Sequence, residues 1–278
     1  MADLAYNQGL RSQPVSRDMR ANEALPGVVT DEILPQLMRS HGIPMDSPRS
    51  QASSITRADI DYFCSLVAAS DSVRLSHAVA ALHARGVPAD DMMLDLLPAV
   101  AQLFGQRWVS DETDFASVTI ALGHLQQMRR DISGLPGHNL MPVGAPRRAL
   151  LAPAPGEQHN FGVMIVDHFL NQAGWDVRTL PMSGLEEIVN LVARDSFEIA
   201  GLSISCDAYL LPLEKTVAML RRASKNRDIA VIVGGRLFLE RPELVQLIGA
   251  DAAATDGRDA VRQAERLAAG ALRLQTMD

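Results

Sequence analysis

Residues 147–162 read RRALLAPAPGEQHNFG: a short apolar run enters a loop rich in proline, glycine and polar side chains. The apolar residues Ala149–Ala152 predict a buried strand, and Val163–Ala173 predicts the helix that follows the loop. A strand, a polar loop and a helix in this order are typical of a parallel α/β fold. The loop carries His159 two residues after Glu157, which makes it the first candidate for a functional site.

The same alternation of strand and helix continues to the end of the chain. Five short strands separated by helices predict an α/β fold, a flavodoxin-like, doubly wound, five-stranded parallel sheet with strand order 2-1-3-4-5. We predict strands at residues 149–152, 176–180, 199–204, 229–233 and 252–255, and helices at 163–173, 185–194, 213–224, 243–248 and 259–272.

The N-terminal half has a different pattern, which divides the chain of 278 residues into two domains with an arm and a linker. Apolar residues at helical spacing predict a small four-helix bundle, with Gly105 interrupting its third helix and Phe115, Val118, Leu122 and Leu125 facing inward. We expect an N-terminal arm at residues 1–55, a helical domain at 56–131, a linker at 132–146 and a sheet domain at 147–278.

Composition narrows the class of protein. A net charge of −7, with basic residues clustered only in small arginine pairs, argues against strong direct binding to nucleic acid. No apolar run reaches the about 18 residues that a membrane span needs. The two cysteines, Cys64 and Cys206, cannot form a disulfide framework, and the first 25 residues lack the apolar core of a secretion signal. We therefore expect a cytoplasmic protein that does not contact a membrane.

Polar and glycine residues follow three strands that the predicted order makes neighbours. Glu157, His159 and Gly162 follow strand one, Ser203 and Ser205 follow strand three, and Gly234 and Gly235 follow strand four. In an open parallel sheet, ligands bind at the carboxyl edge where the strand order reverses, here between strands one and three. These loops are therefore expected to surround one cleft.

Each of these features has a simpler explanation when taken alone. A histidine in a loop is commonly a surface or capping residue, and serines after a strand commonly cap the next helix. A glycine pair after a strand is commonly a tight turn. Their joint placement at one edge of the sheet favours a binding site.

These motifs resemble the cobalamin-binding domain of methionine synthase, mutases and corrinoid proteins. That family carries Asp-x-His-x-x-Gly, then Ser-x-Leu, then Gly-Gly; this chain has Glu157-x-His159-x-x-Gly162, Ser203-x-Ser205 and Gly234-Gly235. The order and spacing match over about 130 residues, from the first predicted strand to the last.

The resemblance implies that cobalamin binds with its own base displaced from cobalt and its tail inserted into the fold. His159 would be the lower cobalt ligand, and Glu157 would orient its ring. Gly162 would leave room for the tail. Ser203 and Ser205 would hydrogen-bond the benzimidazole and the tail, and Gly234 and Gly235 would allow close backbone approach.

Two positions depart from the family pattern. Glu157 stands where the family has Asp, which adds a methylene between the backbone and the carboxylate. Ser205 stands where the family has Leu, which makes that wall of the cleft more polar. The first change bears on the distance from the carboxylate to His159, and the second bears on the contacts with the tail.

The helical domain also resembles the four-helix cap that precedes many cobalamin domains. The resemblance implies that Trp108 lies on or near the upper corrin face; alternatively, it is a core residue at a helix end. Light-sensing cobalamin repressors carry a Glu-His pair ten and eleven residues after this tryptophan, where this chain has Val118 and Thr119. We therefore expect different discrimination among hydroxo-, methyl- and adenosylcobalamin.

The whole chain is most similar to the AerR/PpaA antirepressors of photosynthesis genes in purple bacteria. The similarity implies a cobalamin-binding, light-responsive transcriptional regulator that is not an enzyme and that contacts a repressor of the PpsR/CrtJ type. A corrinoid shuttle protein, which carries a methyl group between methyltransferases, would have the same two domains and is the alternative. A third possibility is a scaffold that kept the fold without the cofactor.

Overall fold

The computed structural model describes residues 55–110, 112–136, 146–182 and 184–275. The predicted arm therefore lies outside the described residues except for Ile55, and so does most of the predicted linker. Within the described residues, no helix is both long enough and apolar enough to cross a membrane.

Three helices of the helical domain begin with a turn that a side chain caps. A capping box joins Thr56 and Asp59, and the carboxylates of Asp71 and Asp114 accept hydrogen bonds from the first turns of the following helices. The elements are α1 (Arg57–Ala68), α2 (Ser72–Ala84), α3 (Ala89–Asp91), a π-helical segment (Met92–Leu96), α4 (Leu97–Val109) and α5 (Phe115–Ser133).

The sheet domain contains a five-stranded parallel sheet with strand order β2-β1-β3-β4-β5, which confirms the predicted fold and order. Its strands are β1 (Arg148–Pro153), β2 (Asp176–Thr179), β3 (Ile199–Ser203), β4 (Ala230–Gly234) and β5 (Ala252–Ala254). Its helices are α6 (Phe161–Gln172), α7 (Leu185–Arg194), α8 (Leu210–Ala223), α9 (Arg236–Glu240), α10 (Leu244–Leu247) and α11 (Gly257–Gln275).

Helices cover both faces of the sheet. Because successive residues of a strand point to opposite faces, both sets of side chains are buried. From β1, Ala149 and Leu151 pack with residues of α6 and α11. Leu150 and Ala152 pack in a second core with α7, α8 and α10. This two-sided burial explains why β1 reads as a continuous apolar run.

Two local predictions were wrong, and one helix was missed. Gly105 does not interrupt its helix, since α4 continues to Val109. Leu122 was expected to face inward, but it is 41% exposed, whereas Val118 and Leu125 are buried as predicted. The short helix α9 directly after Gly235 was not predicted.

The two domains share part of one core. Phe169 of α6 is buried in the hydrophobic cluster of the helical domain. Arg258, at the start of α11, donates to Asp91 at 2.7 Å and also lies 3.6 Å from Asp90. The other residues of the sheet domain that pack on this cluster are Phe161, Ile165 and Val261.

The turn after β4 requires glycine at one of its two positions. Gly235 has a φ of +118°, and a Cβ atom built there would lie 2.0 Å from the carbonyl oxygen of Ile204 in the loop after β3. Gly234 has neither constraint, because a Cβ there would meet nothing within 4 Å. The second glycine is therefore needed by the fold itself.

We predict that Gly235→Ala lowers the free energy of unfolding by about 2–4 kcal/mol, because it combines a disfavoured φ with a backbone collision. Gly234→Ala is the matched control and should stay within about 1 kcal/mol of the wild type. Chemical denaturation followed by circular dichroism measures both. Equal stability of the two variants would contradict the assigned difference.

Candidate functional site

Three loops meet at the carboxyl edge of the sheet, as the strand order predicts. The last residues of β1, β3 and β4 are in register, with Pro153 beside Ser203 and Ser203 beside Gly234. The loops that follow these strands carry the predicted site residues. They therefore start side by side, although the first and last are about 80 residues apart in the sequence.

The centre of this edge is the carboxylate of Glu157, whose side chain is fully buried. Its Oε1 accepts hydrogen bonds from the backbone N–H of His159 at 2.9 Å and from the ring Nδ1 at 2.5 Å. Its Oε2 accepts hydrogen bonds from the backbone N–H of Ser205 at 2.7 Å and from the hydroxyl at 2.5 Å. Both oxygens are thus fully engaged, one by each loop.

These hydrogen bonds keep Glu157 ionised. Burial alone would raise the pKa of this carboxyl, but the hydrogen bonds from His159 and Ser205 outweigh burial and lower the pKa to about 2. The carboxylate is therefore a permanent acceptor at physiological pH, and the ring nitrogen that faces it carries a proton.

The contacts of the His159 ring are those expected of a metal ligand. Its side chain is only 10% exposed, and Nδ1 is occupied by Glu157. The other nitrogen, Nε2, is buried and has no hydrogen-bond partner within the described part of the chain. A neutral imidazole with its proton on Nδ1 has a free lone pair on Nε2. Because buried polar atoms are rarely left unpaired, this atom indicates a missing partner.

A single histidine ligand suits a metal whose other ligands belong to a bound cofactor. Within the described ranges, no group of three or more His, Cys, Asp or Glu residues could hold a bare metal ion. A single imidazole can complete the coordination of a cobalt that a corrin ring already holds, and a carboxylate on its second nitrogen is the usual supporting partner.

The glycines of this edge differ in what lies beside them. A Cβ at Gly162 or Gly234 would meet nothing within 4 Å, so open space lies beside both backbones. This agrees with the expectation of space for the cofactor tail. Gly235, by contrast, approaches the backbone of Ile204, so its close approach serves the protein.

The structure gives the two serines different positions. Ser203 ends β3 at the shared edge and is half-buried, which suits the predicted contact with the tail. Ser205 is buried, and its hydroxyl donates to Glu157. The proton of this hydroxyl is therefore used within the protein, and the contact of Ser205 with the tail stays a prediction.

Two contacts of this edge were missed by the sequence analysis. Asn160 donates its side-chain N–H to the carbonyl oxygen of Pro181 at 3.1 Å, which ties the loop after β1 to the end of β2. The ring of Tyr209 lies 3.6 Å from the position of a Cβ on Gly156. Both residues lie close in sequence to predicted site residues, which is the one signal that could have drawn attention to them.

The predicted residues of the helical domain lie on α4 and α5. The side chain of Trp108 lies outside the described residues, Val118 is buried, and Thr119 is exposed. Their approach to a bound corrin stays a prediction.

A second histidine with an unpartnered ring nitrogen lies on α5. Nδ1 of His124 is buried without a partner in the described part of the chain. Residues 124, 127 and 131 share one side of this helix. Asp131 accepts a hydrogen bond from Ser76 of α2, so this side faces α2. The position favours a structural role for His124 within the bundle.

Comparison with known proteins identifies the domain. The model of the B12 binding domain family matches residues 147–265, which cover the sheet and its three loops. A Rhodobacter capsulatus protein, described as an uncharacterized 20.5 kDa protein in the bchF-crtJ intergenic region, is 31% identical over 170 residues. The match covers 61% of this chain and 88% of that protein.

Solved structures support the fold. The monomethylamine corrinoid protein of Methanosarcina barkeri matches with a TM-score of 0.63 and 18% identity, over 76% of this chain and 98% of that chain. A cobalamin-binding protein from Desulfitobacterium hafniense DCB-2 matches with a TM-score of 0.42 and 22% identity, over the same shares of the two chains. The second TM-score is too low to support an argument. The first match, at 18% identity, supports the fold alone.

The family also bears on the class of function. A B12 binding domain binds or carries its cofactor, so the chain is a cofactor-binding protein and not itself an enzyme. The chain belongs to the family of cobalamin-binding proteins that includes the Rhodobacter capsulatus protein of the bchF–crtJ region, which is the family that the sequence resemblance indicated.

Proposed function

We propose that this chain binds cobalamin with His159 as the lower cobalt ligand and acts as a light-responsive antirepressor on a PpsR/CrtJ-type repressor. The observation that carries the first half is the buried Nε2 of His159, which has no partner among the described residues. A buried lone pair without a partner is costly unless a ligand engages it. In the cobalamin-binding family, cobalt accepts this lone pair after the cofactor's own base has been displaced.

The residues at this edge of the sheet have different roles in binding the cofactor. Glu157 holds the ring of His159 through Nδ1, which leaves Nε2 available to cobalt. The open space beside Gly162 and Gly234 admits the tail. Ser203, at the end of β3, offers a hydroxyl to the tail. Bound cobalamin would supply a bond between cobalt and its upper ligand that responds to light.

A route from the site to the helical domain runs through α6. This helix begins at Phe161, two residues after His159, and carries Phe169 into the core of the helical domain. A shift of the ligand loop would therefore move a side chain on which that core depends. Two packings of the helical domain against α6 would give a repressor two different docking surfaces, which is the coupling that a switch requires.

The regulatory half of the proposal is supported by the family. The Rhodobacter capsulatus relative comes from the region beside crtJ, and it is itself uncharacterized. A net charge of −7 does not favour binding to DNA, so we expect the chain to act through protein contact. The corrinoid shuttle has the same two domains and is the alternative outcome.

We predict that the purified chain, incubated with hydroxocobalamin in the dark and passed through gel filtration, retains the cofactor. His159→Ala should weaken retention at least tenfold, because it removes the cobalt ligand. His124→Ala is the matched control, since it removes another histidine with an unpartnered ring nitrogen, and it should retain cobalamin. Equal retention by the two variants would refute the ligand assignment.

The regulatory role has a separate prediction. The cobalamin-loaded chain should release a CrtJ-type repressor from its operator DNA, with an affinity for the repressor that differs between dark and illuminated samples. Fluorescence anisotropy of labelled operator DNA measures this. His159→Ala should lose the difference between dark and light.

The alternative outcome is equally measurable. If loading with cobalamin leaves the repressor–DNA complex unchanged in both light conditions, the antirepressor assignment fails. Acceptance of a methyl group by the reduced, loaded chain from a methyltransferase would then identify a corrinoid shuttle.

A further inference from the structure

Arg258, at the start of α11, joins the sheet domain to the helical domain through three contacts. Its guanidinium group donates to Asp91 at 2.7 Å, and its Nε lies 3.6 Å from a carboxylate oxygen of Asp90. The central carbon of the guanidinium lies 6.0 Å from the centre of the Phe169 ring. One cation of the sheet domain is therefore bound to two consecutive anions of α3 in the helical domain.

The residue before Arg258 makes room for the same aromatic ring. A Cβ atom on Gly257 would lie 2.2 Å from Cδ2 of Phe169 and 2.8 Å from its Cε2. The ring is only 4% exposed and belongs to the hydrophobic cluster of the helical domain. Because any side chain at position 257 would displace the ring, the glycine is what allows Phe169 to reach that cluster beside the start of α11.

The two parts of this joint differ in their exposure to solvent. The side chains of Arg258, Asp90 and Asp91 are 44%, 33% and 24% exposed, whereas Phe169 is buried. Salt screens charges that water can reach, but it does not weaken the burial of an apolar ring. The ionic contacts should therefore open under conditions in which the ring stays in place.

The ionic contacts hold the start of an irregular turn. Asp91 ends α3 and directly precedes the π-helical segment, in which the N–H of Leu97 donates to the carbonyl of Met92, five residues earlier. Pro98 explains the wide turn, because it has no N–H and its ring would collide with the carbonyl of residue 94 in a regular α-helix. With fewer regular helical hydrogen bonds, this segment is expected to open first when the contacts of Asp91 are lost.

The joint lies beside the edge of the sheet that carries the candidate site. Three residues in the first three turns of α6 pack on the helical cluster, and α6 begins at Phe161, two residues after His159. Arg258 and Val261 lie in the first two turns of α11, which follows the carboxyl end of β5. Movement of the helical domain at this joint therefore changes access to the carboxyl edge.

We propose that the contacts of Arg258 with Asp90 and Asp91 form an ionic latch between the domains, and that Phe169 is the pivot that stays buried when the latch opens. Opening separates α3 from the start of α11 and widens access to the carboxyl edge. The latch and the pivot are properties of the cofactor-free chain. Only the effect on cofactor entry rests on the proposed function.

Hydrogen–deuterium exchange of the cofactor-free chain, read by mass spectrometry, tests the latch. The screening length falls from about 10 Å in 0.1 M sodium chloride to about 3 Å in 1 M. The amides of residues 89–97 should therefore exchange about threefold faster in high salt, the size expected for an exposed ion pair. Those of residues 165–172, around the pivot, should keep their protection. If both segments lost protection together, or if neither responded to salt, the proposal would fail.

Two substitutions of the latch residue sharpen this test. Arg258→Glu should raise the exchange rate of residues 89–97 about fivefold at low salt, because repulsion replaces attraction. Arg258→Gln removes the charge without adding repulsion, so it should give a smaller increase and an exchange rate that no longer depends on salt. A rate that still rose with salt in Arg258→Gln would overturn the assignment of the latch to this residue.

Arg262→Glu is the matched control. Arg262 lies one turn further along α11 and donates to Asp259 of the same helix, so its substitution changes the charge equally without touching the latch. It should leave the protection of residues 89–97 at the wild-type level, and circular dichroism checks that all the variants fold. An equal opening in this control would mean a general charge effect and would overturn the proposal.

The second experiment follows the entry of hydroxocobalamin by stopped-flow absorbance. Arg258→Glu should bind about threefold faster than the wild type at low salt, because an open joint no longer limits entry. Arg262→Glu should bind at the wild-type rate. Equal rates for Arg258→Glu and the wild type would overturn the effect on entry. Absence of binding by the wild type would refute the proposed function, while the exchange data would still decide the latch.

Discussion

One buried carboxylate holds the functional edge of this protein together. Glu157 accepts four hydrogen bonds, two from the loop after β1 and two from the loop after β3. A charge in this position is tolerable only because the donors fully satisfy it. The same constraint determines the tautomer of His159, and therefore the direction of the lone pair that makes this edge a candidate cobalt site.

Much of the fold was predictable because it follows from local patterns. Short apolar runs indicate the strands, and the segments between them show helical spacing. The strand order follows from the rules for parallel sheets. The candidate roles of His159 and Glu157 came from the resemblance to the cobalamin-binding family, whose motif these residues match in spacing. The exposure of Leu122 and the continuous helix through Gly105 were not predictable, because tertiary packing overrides local propensity at both positions.

The contacts across the loops needed the structure. The sequence places Ser205 at the right edge of the sheet, but the conformations of two loops decide which acceptor its hydroxyl meets. The two adjacent glycines are a similar case. In the sequence Gly234 and Gly235 look equivalent, yet one borders open space and the other touches Ile204. Differences of this kind arise from backbone dihedral angles and close approaches that no residue pattern encodes.

The burial of Phe169 in the neighbouring domain has an evolutionary consequence. A boundary drawn at residue 147 separates two architectures, but it does not separate two folding units, because an aromatic ring of one packs in the hydrophobic cluster of the other. A recombination event that moved the sheet domain to a new protein would expose this ring and leave a hole in the abandoned bundle. The two halves are therefore expected to be inherited together, and lineages that lose one should also have replaced the phenylalanine.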